Sequence, residues 1–92
     1  MLFVYSAIDC HDKSELRAKN NAAHVKYVYE YGLKIVHAGP LVCDDGVSPI
    51  GTLIIIDALD RQAAQEFIDN DPYVKAGLVS QISLIAWDKK TS

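Results

Sequence analysis

The sequence predicts an α+β domain: a four-stranded antiparallel sheet with two helices on one face. Three observations predict it. Runs rich in apolar, β-branched and aromatic residues at Leu2–Ile8, Leu33–Val42, Gly51–Asp57 and Val79–Trp87 read as strands. Helical periodicity follows the first run, at about 14–31, and the third, at 61–69. Polar, glycine or proline turn signals separate these segments.

Each element has its own reason. After the first strand, Asp9–Lys13 is polar and turns the chain. Ser14 is then the expected N-cap, with Asp12 as competitor. At about 100° per residue, Lys19, Lys26 and Glu30 form the solvent stripe of the first helix. Gly32 follows Tyr31 as a C′ glycine would. The second strand ends near Gly39-Pro40, where a residue without an N–H suits an edge or a terminus. Asp44-Asp45-Gly46 and Ser48-Pro49 make a loop. Asp60 caps the second helix, Arg61–Asp69, in which Ala64, Phe67 and Ile68 recur at helical spacing. Asn70-Asp71-Pro72 breaks that helix. Pro72 starts a short helical turn through Ala76, closed by Gly77. The order β-α-β-β-α-β is that of a ferredoxin-like sandwich. With no repeat or linker, residues 1–92 form one domain, and residues 89–92 are a tail.

Composition narrows the function classes. A net charge of −3 and no basic cluster argue against nucleic-acid binding. No apolar run approaches the roughly 20 residues that cross a bilayer, and no basic segment with a cleavage pattern leads the chain. The expectation is a soluble cytoplasmic protein without membrane contact. Cys10 and Cys43 form no C-x-x-C pair, and with His11 they match no common zinc spacing. They read as small fillers at strand ends, and neither a metal nor a cofactor is expected.

The strands are too apolar for a lone sheet. Leu53-Ile54-Ile55-Ile56, Leu2-Phe3-Val4-Tyr5 and Leu84-Ile85-Ala86-Trp87 are apolar on both faces, whereas two helices cover only one. The second face would expose an apolar patch larger than soluble monomers tolerate. An identical sheet across a two-fold axis is the simplest cover, so a homodimer through the open face is expected.

Chemistry-bearing residues gather around the first helix. His24 projects away from the charged stripe, near Arg17, Asn21, Val28 and Tyr31. An inward imidazole is either a satisfied core residue or a titratable group in a pocket. Asp71 is an ordinary N-cap for the turn that begins at Pro72. It can also orient and charge His24, provided the two roles use different oxygens. His37 shares a strand face with Gly39 and lines the same pocket or stands at a sheet edge. Gly39-Pro40 and Gly51 mark places where backbone approaches a ligand or itself. Tyr73 belongs to the core or an interface, or hydrogen-bonds a ligand.

Ala23-His24-Val25, Val28, Gly32, Ala38-Gly39-Pro40-Leu41, Gly51, Asp71-Pro72-Tyr73 and Ala76-Gly77-Leu78 together resemble the YciI-like (YCII-related) family over essentially the whole chain. The resemblance implies a dimeric α+β barrel of ferredoxin-like subunits. It also implies a catalytic histidine–aspartate pair, which falls on His24 and Asp71. Relatives by fold include muconolactone isomerases, and some members are dehydrohalogenases of ring compounds. Many relatives carry an arginine three residues before the histidine, where this chain has Asn21. Arg17, one turn back, is the substitute charge.

The expected activity is that of a small cofactor-independent lyase or isomerase acting on a small carbonyl, lactone or halogenated ring acid. His24 moves a proton next to a carbonyl or leaving group and Asp71 fixes its orientation. Arg17, Asn21, His37, Gly39, Pro40 and Tyr73 bind the substrate. The alternative is a non-catalytic dimeric module that binds a metabolite or serves another enzyme.

Overall fold

The structure is a computed structural model, described for residues 1–31 and 34–91. Its elements run β1 (Leu2–Asp9), α1 (Ser14–Glu30), β2 (Lys34–Val42), β3 (Pro49–Asp57), α2 (Arg61–Asp69), α3 (Pro72–Lys75) and β4 (Val79–Trp87). The strands form one antiparallel sheet in the order β2-β3-β1-β4. Consecutive strands flanking each helical segment are therefore separated by one strand, the split βαβ arrangement of a ferredoxin-like fold.

Alternation along the central strands builds the core. Phe3, Tyr5 and Ala7 of β1 share a face with Ile54 and Ile56 of β3 and Leu84 of β4. Onto that face α2 lays Ala64, Phe67 and Ile68, all fully buried. Full burial of a side chain such as Phe67 is worth roughly 1.5–3 kcal/mol. Tyr27 of α1 stacks on the Phe67 ring at 5.2 Å, and its hydroxyl donates to the Phe67 carbonyl at 2.7 Å. Tyr31 meets the same ring edge-on. Burial, reinforced by neighbouring Tyr31, raises the Tyr27 phenol above its ordinary range.

Helix ends follow local chemistry, with one correction. Asp60 caps α2 through Ala63 N–H at 2.9 Å, and Gly77 at φ +78° closes the turn after α3. Ser14 is not the cap of α1. Lys13 holds that position without a side-chain bond, and Ser14 is the first helical residue. The preceding Asp12 adopts φ +59°, so the chain turns before the serine is reached. The β1 strand also extends through Asp9, and β3 begins at Pro49, which pairs with Val42. The roles read for Gly32 and the strand start at Leu33 lie outside the described residues.

Gly51 is a place where backbone meets backbone: a Cβ there would drive into the Ala7 carbonyl oxygen. Gly39 has open space instead. In the β2–β3 loop, Asp45 accepts from the backbone of Val47 and Ser48 and from the Ser48 hydroxyl, which lowers its pKa to about 2. Cys10 is half-buried and Cys43 exposed, and both are free thiols.

Among the described residues no helix covers the other face of the sheet. Val4, Leu53 and Ile55 are half-buried there, while Ile85 is 64% and Trp87 40% exposed.

Candidate functional site

Helix α1 differs from an ordinary core-facing helix in what it turns inward. Its two buried residues are Arg17 and His24. With Asn21 and Val28 they fall at i, i+4, i+7 and i+11, one stripe of the helix. That stripe forms one wall of a cleft of about 660 Å³. The opposite wall is the edge strand β2 from Ile35 to Pro40, and Val25, Tyr29, Pro49, Thr52 and Tyr73 complete the lining. The strand is irregular between Ile35 and His37, where the register shifts and Ile35 and Val36 both reach the cleft. This volume suits a small molecule.

His24 and Asp71, 47 residues apart, meet here. Nδ1 of His24 lies 2.8 Å from Oδ1 of Asp71. An ionised carboxylate only accepts, so with Asp71 ionised the proton of this contact sits on Nδ1 and Nε2 is the ring nitrogen left for a ligand. His24 is 9% exposed and lines the cleft, whereas Asp71 is fully buried behind it. The local sequence explains the carboxylate's position: Asp71 caps α3 through Tyr73 N–H at 3.0 Å, with Pro72 pre-setting the first helical residue. The two roles do not use different oxygens. Oδ1 takes both the backbone N–H and the imidazole, while Oδ2 faces the buried Tyr5 hydroxyl at 3.5 Å. Burial, then the Asp71 charge, raises the Tyr5 phenol above its ordinary range and keeps it a donor.

A second buried pair lies further along the stripe. Arg17 donates Nη1 to Asp9 Oδ2 at 2.8 Å and Nη2 to Thr52 Oγ1 at 3.1 Å. Tyr73 joins the two pairs. Its ring stacks on His24 with centroids 4.0 Å apart, and the Arg17 guanidinium stands 4.7 Å from its centroid. Its hydroxyl donates to Asn21 Oδ1 at 2.8 Å, and the amide N–H groups have no partner among the described residues. Burial raises the Tyr73 phenol, against the lowering pull of Arg17.

Arg17, Asn21, His24, His37, Gly39, Pro40 and Tyr73 thus all line one cleft. The β2–β3 register puts His37 opposite Ile55 and Gly39 opposite Leu53, on the open sheet face, so these two contribute at the strand edge. His37 is exposed. The site also contains residues that sequence reading passed over. Asp9 reads as a turn residue because a polar side chain follows an apolar run, and its partner lies on the next helix. Thr52 carried a usable signal: it shares the inward face with Ile54 and Ile56, a polar residue at a core position. Tyr5, which the sequence allows as a core residue or a ligand partner, is in the core on the face of Phe3 and Ala7, with its hydroxyl toward Asp71. His11 is solvent-exposed beside Asp12. Among the described residues no group of three metal-ligating side chains is placed to hold an ion, and no helix is long and apolar enough to cross a membrane.

Comparison with known proteins agrees with this architecture. The YCII-related domain matches residues 1–88. Protein YciI of Escherichia coli O6:H1 is 31% identical over 97 aligned positions, covering 97% of this chain and 98% of the relative. Protein YciI of Shigella flexneri matches to the same extent. Among solved structures, the 5-chloro-2-hydroxyhydroquinone dehydrochlorinase TftG from Burkholderia phenoliruptrix AC1100, in complex with 2,5-dihydroxybenzoquinone, superposes with a TM-score of 0.88. It is 29% identical, with 98% of this chain and 96% of that one covered. By sequence and by fold, the chain belongs to the YCII-related family.

Proposed function

We propose that this protein is a cofactor-independent lyase or isomerase that moves a proton on a small carbonyl, lactone or halogenated ring compound. One observation carries the reading: an imidazole lining a small-molecule cleft is held through Nδ1, at 2.8 Å, by a carboxylate that solvent does not reach. The buried charge fixes the tautomer and stabilises the imidazolium, so the lone pair on Nε2 is presented to the ligand. In this scheme Nε2 takes a proton next to the substrate carbonyl. The C–H electron pair moves into a new double bond. In a lyase step the leaving group departs with its own electron pair; in an isomerase step Nε2 returns the proton to another carbon. His24 would be the catalytic residue and Asp71 a positioning residue, since it does not reach the cleft. Asn21, Arg17 and Tyr73 would hold the substrate, with Gly39, Pro40 and His37 on the facing edge. The fold shared with a dehydrochlorinase supports an enzyme-like role on small molecules in general.

Screening lactones, halogenated ring compounds and small carbonyl compounds for turnover, wild type against His24→Ala, tests the reading. Loss of turnover in the variant is expected. Equal turnover in both would remove His24 from the mechanism, and ligand binding without turnover would leave a metabolite-binding module.

The same proposal includes a homodimer through the open sheet face, because Ile85 and Trp87 are exposed beside half-buried Val4, Leu53 and Ile55. Ile85→Lys should convert a dimer to a monomer in sedimentation. A wild-type monomer at micromolar concentration would contradict it.

A further inference from the structure

We infer that Asp9 is a specificity-determining residue that cancels the Arg17 charge, so that the cleft selects uncharged polar ring compounds over their anions. This deepens the functional reading above and rests on its assignment of the cleft as the ligand site.

Arg17 is the arginine on the cleft wall, and its guanidinium is already engaged by Asp9 at 2.8 Å. Both side chains are almost completely buried. Asp9 depends on that cation. Its Oδ1 is also buried and has no hydrogen-bond partner among the described residues, so Arg17 alone answers its charge. The His24–Asp71 pair is neutral with the imidazole protonated and carries −1 with it neutral. Together the two pairs sum to zero or −1. Asn21, between Arg17 and His24 on the stripe, is uncharged. His37 at the rim is solvent-exposed and screened.

A substrate carboxylate entering this cleft would therefore leave water without gaining an unpaired cation, an unfavourable transfer for an ion. An uncharged carbonyl or phenol instead finds fixed dipoles. The Asn21 amide N–H groups have no partner among the described residues, its oxygen accepting from Tyr73, the Thr52 hydroxyl accepts from Arg17 and keeps its own proton to donate, and His24 offers Nε2. The remaining walls are largely apolar, including Val28, Ile35 and Pro40.

The test is a pair of probes equal in shape and different in charge, 4-hydroxybenzamide and 4-hydroxybenzoate, titrated at neutral pH with binding read from amide shifts in NMR spectra. Wild type should bind the amide at least tenfold tighter. Asp9→Asn keeps an acceptor for Arg17 but frees its charge, and should narrow or reverse that ratio by about tenfold, on the scale of 1.4 kcal/mol per decade. Wild-type preference for the benzoate overturns the inference whether or not the variant folds. An unchanged ratio in folded Asp9→Asn also overturns it. Neither result touches the catalytic reading if His24→Ala still abolishes turnover. Binding of neither probe at millimolar concentration would overturn the inference together with the small-molecule assignment of the cleft.

Discussion

Helices α1 and α2 pack on the same face of one sheet, yet they bury opposite kinds of side chain. Helix α2 inserts Ala64, Phe67 and Ile68 into the core and leaves its polar residues to solvent. Helix α1 buries Arg17 and His24, each matched by a carboxylate from another element. A helix gains most from burying an apolar stripe, and buried ion pairs contribute little net stability. The aromatic residues Tyr27 and Tyr31 anchor the C-terminal part of α1 against Phe67. Its middle is given over to a cleft. The contrast separates stability from function within one layer: α2 holds the fold, and α1 spends part of its packing surface on a polar site.

The sharpest way to break this contrast is at His24. In His24→Ala, turnover per folded molecule should fall by about 10²–10⁴-fold, the usual contribution of a positioned acid–base group. Phe67→Ala in α2 should do the reverse. It should cost about 3–5 kcal/mol in denaturant unfolding, while the molecules that remain folded keep their ligand affinity. If Phe67→Ala instead lowered activity as much as His24→Ala, the division between the helices would fail. A double replacement, Asp9→Leu with Arg17→Met, makes α1 more like α2. Stability should stay level or rise by up to about 4 kcal/mol as the buried pair is exchanged for apolar packing, and ligand binding should weaken as Thr52 and Tyr73 lose the guanidinium they contact. A smaller effect belongs to alkaline solution. Tyr5 beneath the site and Tyr27 at the α1–α2 contact are both held protonated by burial, above their ordinary value of about 10. Their contribution is fully present below pH 10 and is lost as pH rises through the raised folded values. Unfolding followed by circular dichroism should therefore set in above pH 10, and later in Tyr5→Phe or Tyr27→Phe if those variants keep their packing.

The fold was almost wholly legible because each element is announced locally. Strand alternation at Phe3, Tyr5 and Ala7, the Asp60 cap and Gly77 after the last turn are signals within a few residues of what they control. What escaped is non-local. Asp9 is polar at a strand end, and only its contact with Arg17 makes it part of the site. The proximity of His24 to Asp71 depends on how α3 packs against α1, and in the sequence it rested on family resemblance rather than on periodicity. The Ser14 cap failed for another reason. Capping side chains mark a neighbourhood, and the left-handed turn at Asp12 decided which residue entered the helix first.

The proposed chemistry depends on the protonation of one ring. Two-bond ¹⁵N–¹H correlation spectra of His24 at neutral pH, in wild type and Asp71→Asn, report that state directly. The neutral imidazole should carry its proton on Nδ1 with Nε2 bare, and Asp71→Asn should disturb that assignment. A proton on Nε2 in wild type, or a ring indifferent to the substitution, would contradict the pairing on which the proposed chemistry stands.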